Sequence, residues 1–230
     1  MTKKKALAAI LAVALIACVA VGATLAYLQD KTEVATNVFT LGKVDIKLDE
    51  AVIDEDGQAT DERTEEGNDN YFLMPGQTVD KDPTVTVIGG SEECYVRVFV
   101  TLDHADEIYA IYQAHNMTLD SALEFFGGYD ETVWEPVSMS SANISEGKLV
   151  VEFRYVANDG KVAKSSSDTV LAPVIETVTL PDFVNNTDTA RLPDGFSVEV
   201  YAEAIQTKGF DDADAAWAAF DDTIDPFVAE

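Results

Sequence analysis

Basic residues, cysteine and histidine are all scarce in this chain. Its 230 residues carry 15 Lys and Arg against 42 Asp and Glu, a formal net charge of −27. That balance excludes nucleic acid as a natural partner, because phosphate binding needs a basic face. It also disfavours anionic membrane surfaces and favours divalent cations or basic partners. There are two histidines, His104 and His115, and neither belongs to a His-Glu-x-x-His pair, since Ala105-Asp106-Glu107-Ile108 follows His104. A zinc protease needs two imidazoles on one helical face plus a general base. His104 and His115 remain only weak metal candidates, which would have to meet in space with an acid such as Asp103 or Glu107. The plainer expectation is two surface histidines beside a helix. The sequence has no Gly-x-Ser-x-Gly elbow and no phosphate-cradling glycine loop. No catalytic residue and no cofactor are assigned.

The two cysteines are Cys18 and Cys94. Cys18 lies in a leader, described next, so Cys94 stands alone and no intramolecular disulfide can form. With Glu93, Tyr95, Val96 and Arg97 around it and no histidine nearby, Cys94 is expected as a small buried apolar side chain.

The N-terminus is the most telling stretch. Lys3, Lys4 and Lys5 precede an uncharged apolar run from Ala6 to Val21, and the first acid is Asp30. This is the layout of a secretory signal peptide, residues 1–27, with cleavage expected near Ala26 or Tyr27. The run is short of the ~20 residues a membrane span requires. Leu15-Ile16-Ala17-Cys18 also resembles a lipobox, and an uncleaved anchor is a further alternative. Against lipidation, Val19 to Leu25 stays apolar where a polar tether is usual. Removing residues 1–27 takes away three lysines and no acid, so the charge falls from −27 to −30. The remaining 28–230 is read as one domain, large enough to bury a core without staples.

Along that domain, Thr36 to Leu48 alternates, with Val44, Ile46 and Leu48 on one face. Residues 49–70 carry ten acids and one base, Arg63, and read as an exposed, mobile acidic loop. Asp54-Glu55-Asp56-Gly57 within it fails the EF-hand spacing, because Val52 would stand at the first ligand position. Weak, nonspecific divalent binding is all it suggests. Strands are expected at Thr84–Ile88, Cys94–Leu102, Lys148–Val156, Thr169–Leu180 and Gly195–Gln206. Pro173 and Pro181 mark an irregularity and a strand end. Asp103 to Ala114 is a short helix or loop. Thr118 to Phe126 reads as helical, capped by Thr118 and stopped by Gly127-Gly128. Asp211 to Phe220 reads as a closing helix with Asp211 or Asp212 as its cap. The expected class is all-β with helical decoration, an antiparallel jelly-roll-like β-sandwich.

Several short motifs, in order, carry a family resemblance: Ala23-Thr24-Leu25-Ala26-Tyr27-Leu28-Gln29-Asp30, then Ala35 to Ile46, Met74-Pro75-Gly76-Gln77-Thr78-Val79 with Lys81, Cys94-Tyr95-Val96-Arg97-Val98, and Ala202-Glu203-Ala204-Ile205-Gln206 with Gly209-Phe210 and Ala216-Trp217. Together they resemble the TasA/camelysin family. The resemblance implies a leader cut by a SipW-type signal peptidase and export from a Gram-positive-type cell. It further implies assembly into extracellular or biofilm-matrix fibres through an N-terminal donor strand. That strand would lie within Leu28 to Leu41, with Val34, Val38, Phe39 and Leu41 as the residues to bury. The implied partners are the peptidase, further copies of the chain and an accessory matrix protein, with no membrane contact after processing. Two other functions stay open: a secreted camelysin-like metalloprotease, for which the zinc motif is missing, and a monomeric cell-surface adhesin or binding module.

Overall fold

A computed structural model describes residues 43–68, 71, 73–117, 126–137, 144–189, 191 and 195–223. The leader, the cleavage residues Ala26 and Tyr27 and the expected assembly residues Val34, Val38, Phe39 and Leu41 lie outside the described residues.

Among the described residues every strand pairing is antiparallel. The longest ladder joins β5 (Cys94–Leu102) to β12 (Val198–Gln206) through nine residue pairs, from Val198 opposite Leu102 to Gln206 opposite Cys94. On its other flank β5 pairs with β9 (Lys148–Tyr155), which pairs in turn with β7 (Trp134–Pro136) and with β8 (Ile144–Ser145). A second sheet runs in the order β10 (Thr169–Val170), β4 (Thr84–Val87), β1 (Ile46–Ile53), β2 (Ala59–Thr64). A third joins β3 (Thr78–Asp80), β11 (Thr177–Thr179) and β6 (Phe126–Gly127). Among the described residues, helices α1 (Ala105–Ala114), α2 (Asn186–Thr189) and α3 (Ala213–Thr223) decorate the sheets, with one further helical turn at Ala157–Gly160. The chain is all-β with helical decoration, as the alternation of its strands implies. Among the described residues, no helix is long and apolar enough to cross a membrane.

Period-two alternation builds the core. Val96, Val98, Val100 and Leu102 of β5 point the same way as Leu149, Val151, Phe153 and Tyr155 of β9, and all eight are buried. They pack with Val85 and Val87 of β4, Val178 of β11, Trp134 of β7, and Ile108, Ile111 and Tyr112 of α1 in one cluster. The Trp134 indole N–H donates to the Ala172 carbonyl at 3.0 Å, so its polar atom is satisfied inside the core. Cys94 is fully buried, and burial pushes its thiol up to about 11. It behaves as the apolar side chain its neighbours suggest.

Three expectations need correction. Residues 49–70 are not a featureless loop, because Asp49–Ile53 completes β1 and Ala59–Thr64 pairs with it as β2. The turn between them is fixed by Asp54, whose Oδ1 accepts the N–H groups of Asp56 and Gln58. Gly57 turns there with φ +75, and a Cβ on it would come within 2.7 Å of Val79. The acids are tolerated in a hairpin because cross-strand cations meet them: Arg63 Nε donates to Asp49 Oδ1 at 2.8 Å, and its fork also reaches Asp82. β2 is nonetheless exposed almost throughout.

The stretch Thr169–Leu180 is two strands in different sheets. Around Pro173, Leu171 N–H donates to Val85 and Val174 N–H to Pro83, carrying the chain from β4 toward β3. Finally, Phe126–Gly127 pairs with β11 rather than ending a helix, while 118–125 lie outside the described residues. Asp212 does cap α3, accepting the Ala215 N–H at 2.8 Å.

Phe153 is fully buried at the centre of the core. Phe153→Ala should lower unfolding stability by about 3–5 kcal/mol, read from urea titration. Val150→Ala on the outer face should change it by less than about 0.5 kcal/mol.

Candidate functional site

Sheet edges are where a β-protein meets other chains, and natural edges are usually shortened, charged or interrupted by proline. Three edges here follow that rule. β10 has two residues, β7 has three and ends at Pro136, and β2 presents Asp61 and Glu62 in exposed positions. The nine-residue β12 follows it least: Glu199 is exposed on it, but the strand is long and uninterrupted. It contains no proline, and among the described residues it has a ladder partner only on the β5 side.

The core-facing row of β12 shows what this edge lacks. Val198, Val200, Ala202 and Ala204 stand opposite Leu102, Val100, Val98 and Val96 of β5. The β5 residues are 3% exposed or less, whereas all four on β12 are only half-buried. The same apolar row that is sealed on β5 and β9 is therefore open along β12. Beside its Val198 end runs a cleft of about 290 Å³, lined among others by Leu48, Glu50, Lys81, Pro83 and Val200.

The opposite face of β12 is held rigidly. Arg97 of β5 is 4% exposed, and a buried guanidinium must be paired. Its Nε donates to Glu203 Oε2 of β12 at 2.7 Å, and a terminal nitrogen lies 2.5 Å from Asp221 Oδ1 of α3. The Trp217 ring covers it with a centroid distance of 4.4 Å, and Phe99 and Phe220 flank it at 4.9 and 5.5 Å. A cation–π contact in a desolvated setting contributes up to about 2 kcal/mol. Trp217 and Ala216 are buried against Tyr95, so α3 has a small apolar seat of its own beside Arg97. The result is a cross-linked β5–β12–α3 block in which, among the described residues, the outer edge of β12 has no ladder partner.

The histidines do not assemble a metal centre. His104 caps the start of α1 in a left-handed conformation, and His115 ends the same helix. Eleven residues of helical rise separate them by ~16 Å. His115 is occupied, with its Nε2 2.9 Å from Asp188 Oδ2 and its ring against Phe183. The His115 contact, followed by the Asn185 N–H, holds the Asp188 carboxyl below its usual range. Asp103 is committed to Ser197, accepting its N–H and hydroxyl ahead of β12. Among the described residues, no three His, Cys, Asp or Glu side chains converge as a metal would require. Of Asp54-Glu55-Asp56, Asp54 is spent on the backbone N–H groups of the hairpin turn.

No family model, no curated protein and no solved structure matches the chain. The open β12 edge escaped sequence reading because alternation shows which face of a strand is apolar but not which flank is paired.

The hydrogen bond from Arg97 depresses the Asp221 carboxyl below its ordinary range near ~4. A depressed carboxylate stabilises the fold above its unfolded value, and that contribution is lost as pH falls through the folded one. Trp217 emission should therefore stay constant from neutral pH down to about 4 and shift to the red below it as α3 lifts. In an Arg97→Leu variant the red shift should already be present at neutral pH.

Proposed function

We propose that this chain is a secreted structural subunit of extracellular or biofilm-matrix fibres, of the TasA/camelysin type, assembling by strand addition after removal of its leader. The observation that carries the reading is the open β12 edge, whose core-facing row is half-buried while the matching row of β5 is sealed. A strand added there would cover Val198, Val200, Ala202 and Ala204 and satisfy the free ladder positions together.

The segment ahead of the described fold has suitable chemistry. Val34 to Gly42 is nine residues without a charge in a chain of −27, the same length as β12. Val34 and Val38 fall on one face of such a strand, and Phe39 and Leu41 on the other. A neutral apolar strand can approach a second copy of so acidic a protein without charge repulsion. Strand donation from each copy to the next is heterologous and does not close, so it gives a filament rather than a dimer. The mechanism is gated by processing: with the leader attached the donor is tethered, and cleavage near Ala26 or Tyr27 by a SipW-type peptidase frees it. The subunit then works at the cell surface or in the matrix of a Gram-positive-type cell, with an accessory matrix protein as a further partner.

Two purified forms test this by size-exclusion chromatography and electron microscopy. The chain starting at Leu28 should form fibres, and the chain starting at Val44 should stay monomeric. Within the longer form, Val38→Asp spoils the donor and Val200→Asp spoils the acceptor, so each alone should stay monomeric. Mixed, they should give dimers, because one retains a donor and the other an acceptor. Folded monomers from the Leu28 form, or fibres from the Val44 form, would overturn the reading.

A further inference from the structure

The floor of the cleft beside β12 holds a polar group that strand addition leaves unused. Glu50 on β1 is 6% exposed and Lys81, just after β3, is 7% exposed. Lys81 Nζ donates to Glu50 Oε2. Asn68 closes the group from the other side: its Nδ2 donates to Glu50 Oε1 at 2.8 Å and to the Ala51 carbonyl at 2.9 Å. Its Oδ1 accepts the Ile53 backbone N–H at 3.1 Å, and its own N–H also reaches Glu50 Oε1 at 3.0 Å. The Tyr71 ring lies 5.5 Å from the Lys81 ammonium. One carboxylate thus holds an amine on one oxygen and a primary carboxamide on the other, in a nearly dry setting.

We propose that Lys81 and Asn68 condense into an intramolecular amide, with Glu50 as the proton carrier. Lys81 Nζ attacks Asn68 Cγ, the Nζ–Cγ bond forms, and the Cγ–Nδ2 bond breaks. Glu50 Oε2 takes one proton from the Lys81 ammonium before the attack, which frees the lone pair, and a second from Nζ once the bond has formed; the carboxyl passes both in turn to Nδ2, whose hydrogen bond it already accepts. Negative charge developing on Asn68 Oδ1 meets the Ile53 N–H, a preplaced donor of the oxyanion-hole kind. The two protons lost by the lysine ammonium end on the departing nitrogen, so ammonium plus carboxamide gives secondary amide plus ammonium ion. No electrons change hands and no further reactant is needed. Asn68 and Lys81 both line the cleft, which gives the leaving ammonia a way out.

Holding both reactants on one carboxylate supplies the proximity that makes such a condensation effectively unimolecular. Burial supplies a driving force, since a buried ammonium is costly even when paired and the product amide is neutral. The product ties the end of the β1–β2 hairpin to the entry of β4. It would act as a covalent staple in a chain whose described residues contain one cysteine, Cys94, buried and unpaired.

Mass spectrometry of the folded full chain tests this without reference to fibres. The chain should weigh less than its sequence by one ammonia. Cleavage after Tyr71 should leave an Asn68-containing and a Lys81-containing fragment joined under denaturing conditions. Glu50→Gln, shown by circular dichroism to keep its strands, should have full mass and separate fragments. Full mass in the folded wild-type chain, with Lys81 open to acetylation once denatured, would overturn the proposal whether or not that variant folds. An equally fast linkage in folded Glu50→Gln would overturn the role given to Glu50.

Discussion

Charge pairing at a handful of cations decides how so acidic a chain can fold. Arg97 joins β5, β12 and α3 by taking Glu203 and Asp221 together, with Trp217 over its face. Arg63 does the same for the hairpin, holding Asp49 and Asp82, and Arg154 spans Glu152 and Asp214. Each of these three arginines is shared by two or more acids, in a chain with 15 cations and 42 carboxylates. Guanidinium suits this role, because its planar fork presents several donors at fixed angles. The remaining acids lie largely on the surface, where water screens them.

Much of the fold was legible in the sequence. Cys94–Leu102 matches β5 to the residue, since a run of β-branched and aromatic residues with no glycine or proline has one reading. Trp217 and Phe220 share a helical face at an edge-on 5.8 Å, as their spacing demands. What misled was charge counted along the chain. Asp49 to Asn70 looks solvated because its partners, Lys47, Arg63, Lys81 and Asp82, include residues well outside the run and become visible only across a ladder. Likewise Thr169 to Leu180 has one continuous β-pattern, and only tertiary pairing shows that Pro173 divides it between two sheets.

The candidate site was the least legible part. Its residues, Val198, Val200, Ala202 and Ala204, fall inside the strand expected at Gly195–Gln206, and nothing in that pattern marks them as an edge. The difference between core and open edge is one of neighbours, and a single sequence does not state which strand is outermost. The histidines drew attention for the opposite reason: they are chemically conspicuous and structurally ordinary. His104 faces solvent at one end of α1, and His115 braces the other end against Asp188 and Phe183.

The asymmetry of the five-stranded sheet has a directional meaning. Among the described residues, its β7 flank stops after three residues at Pro136, while its β12 flank has nine residues with no outer ladder partner. In the proposed strand addition only the β12 flank takes a strand, so successive copies would all point the same way and side-by-side layering would find no second front. Polarity of this kind separates an ordered thread, with two unlike ends, from an aggregate that thickens in every direction.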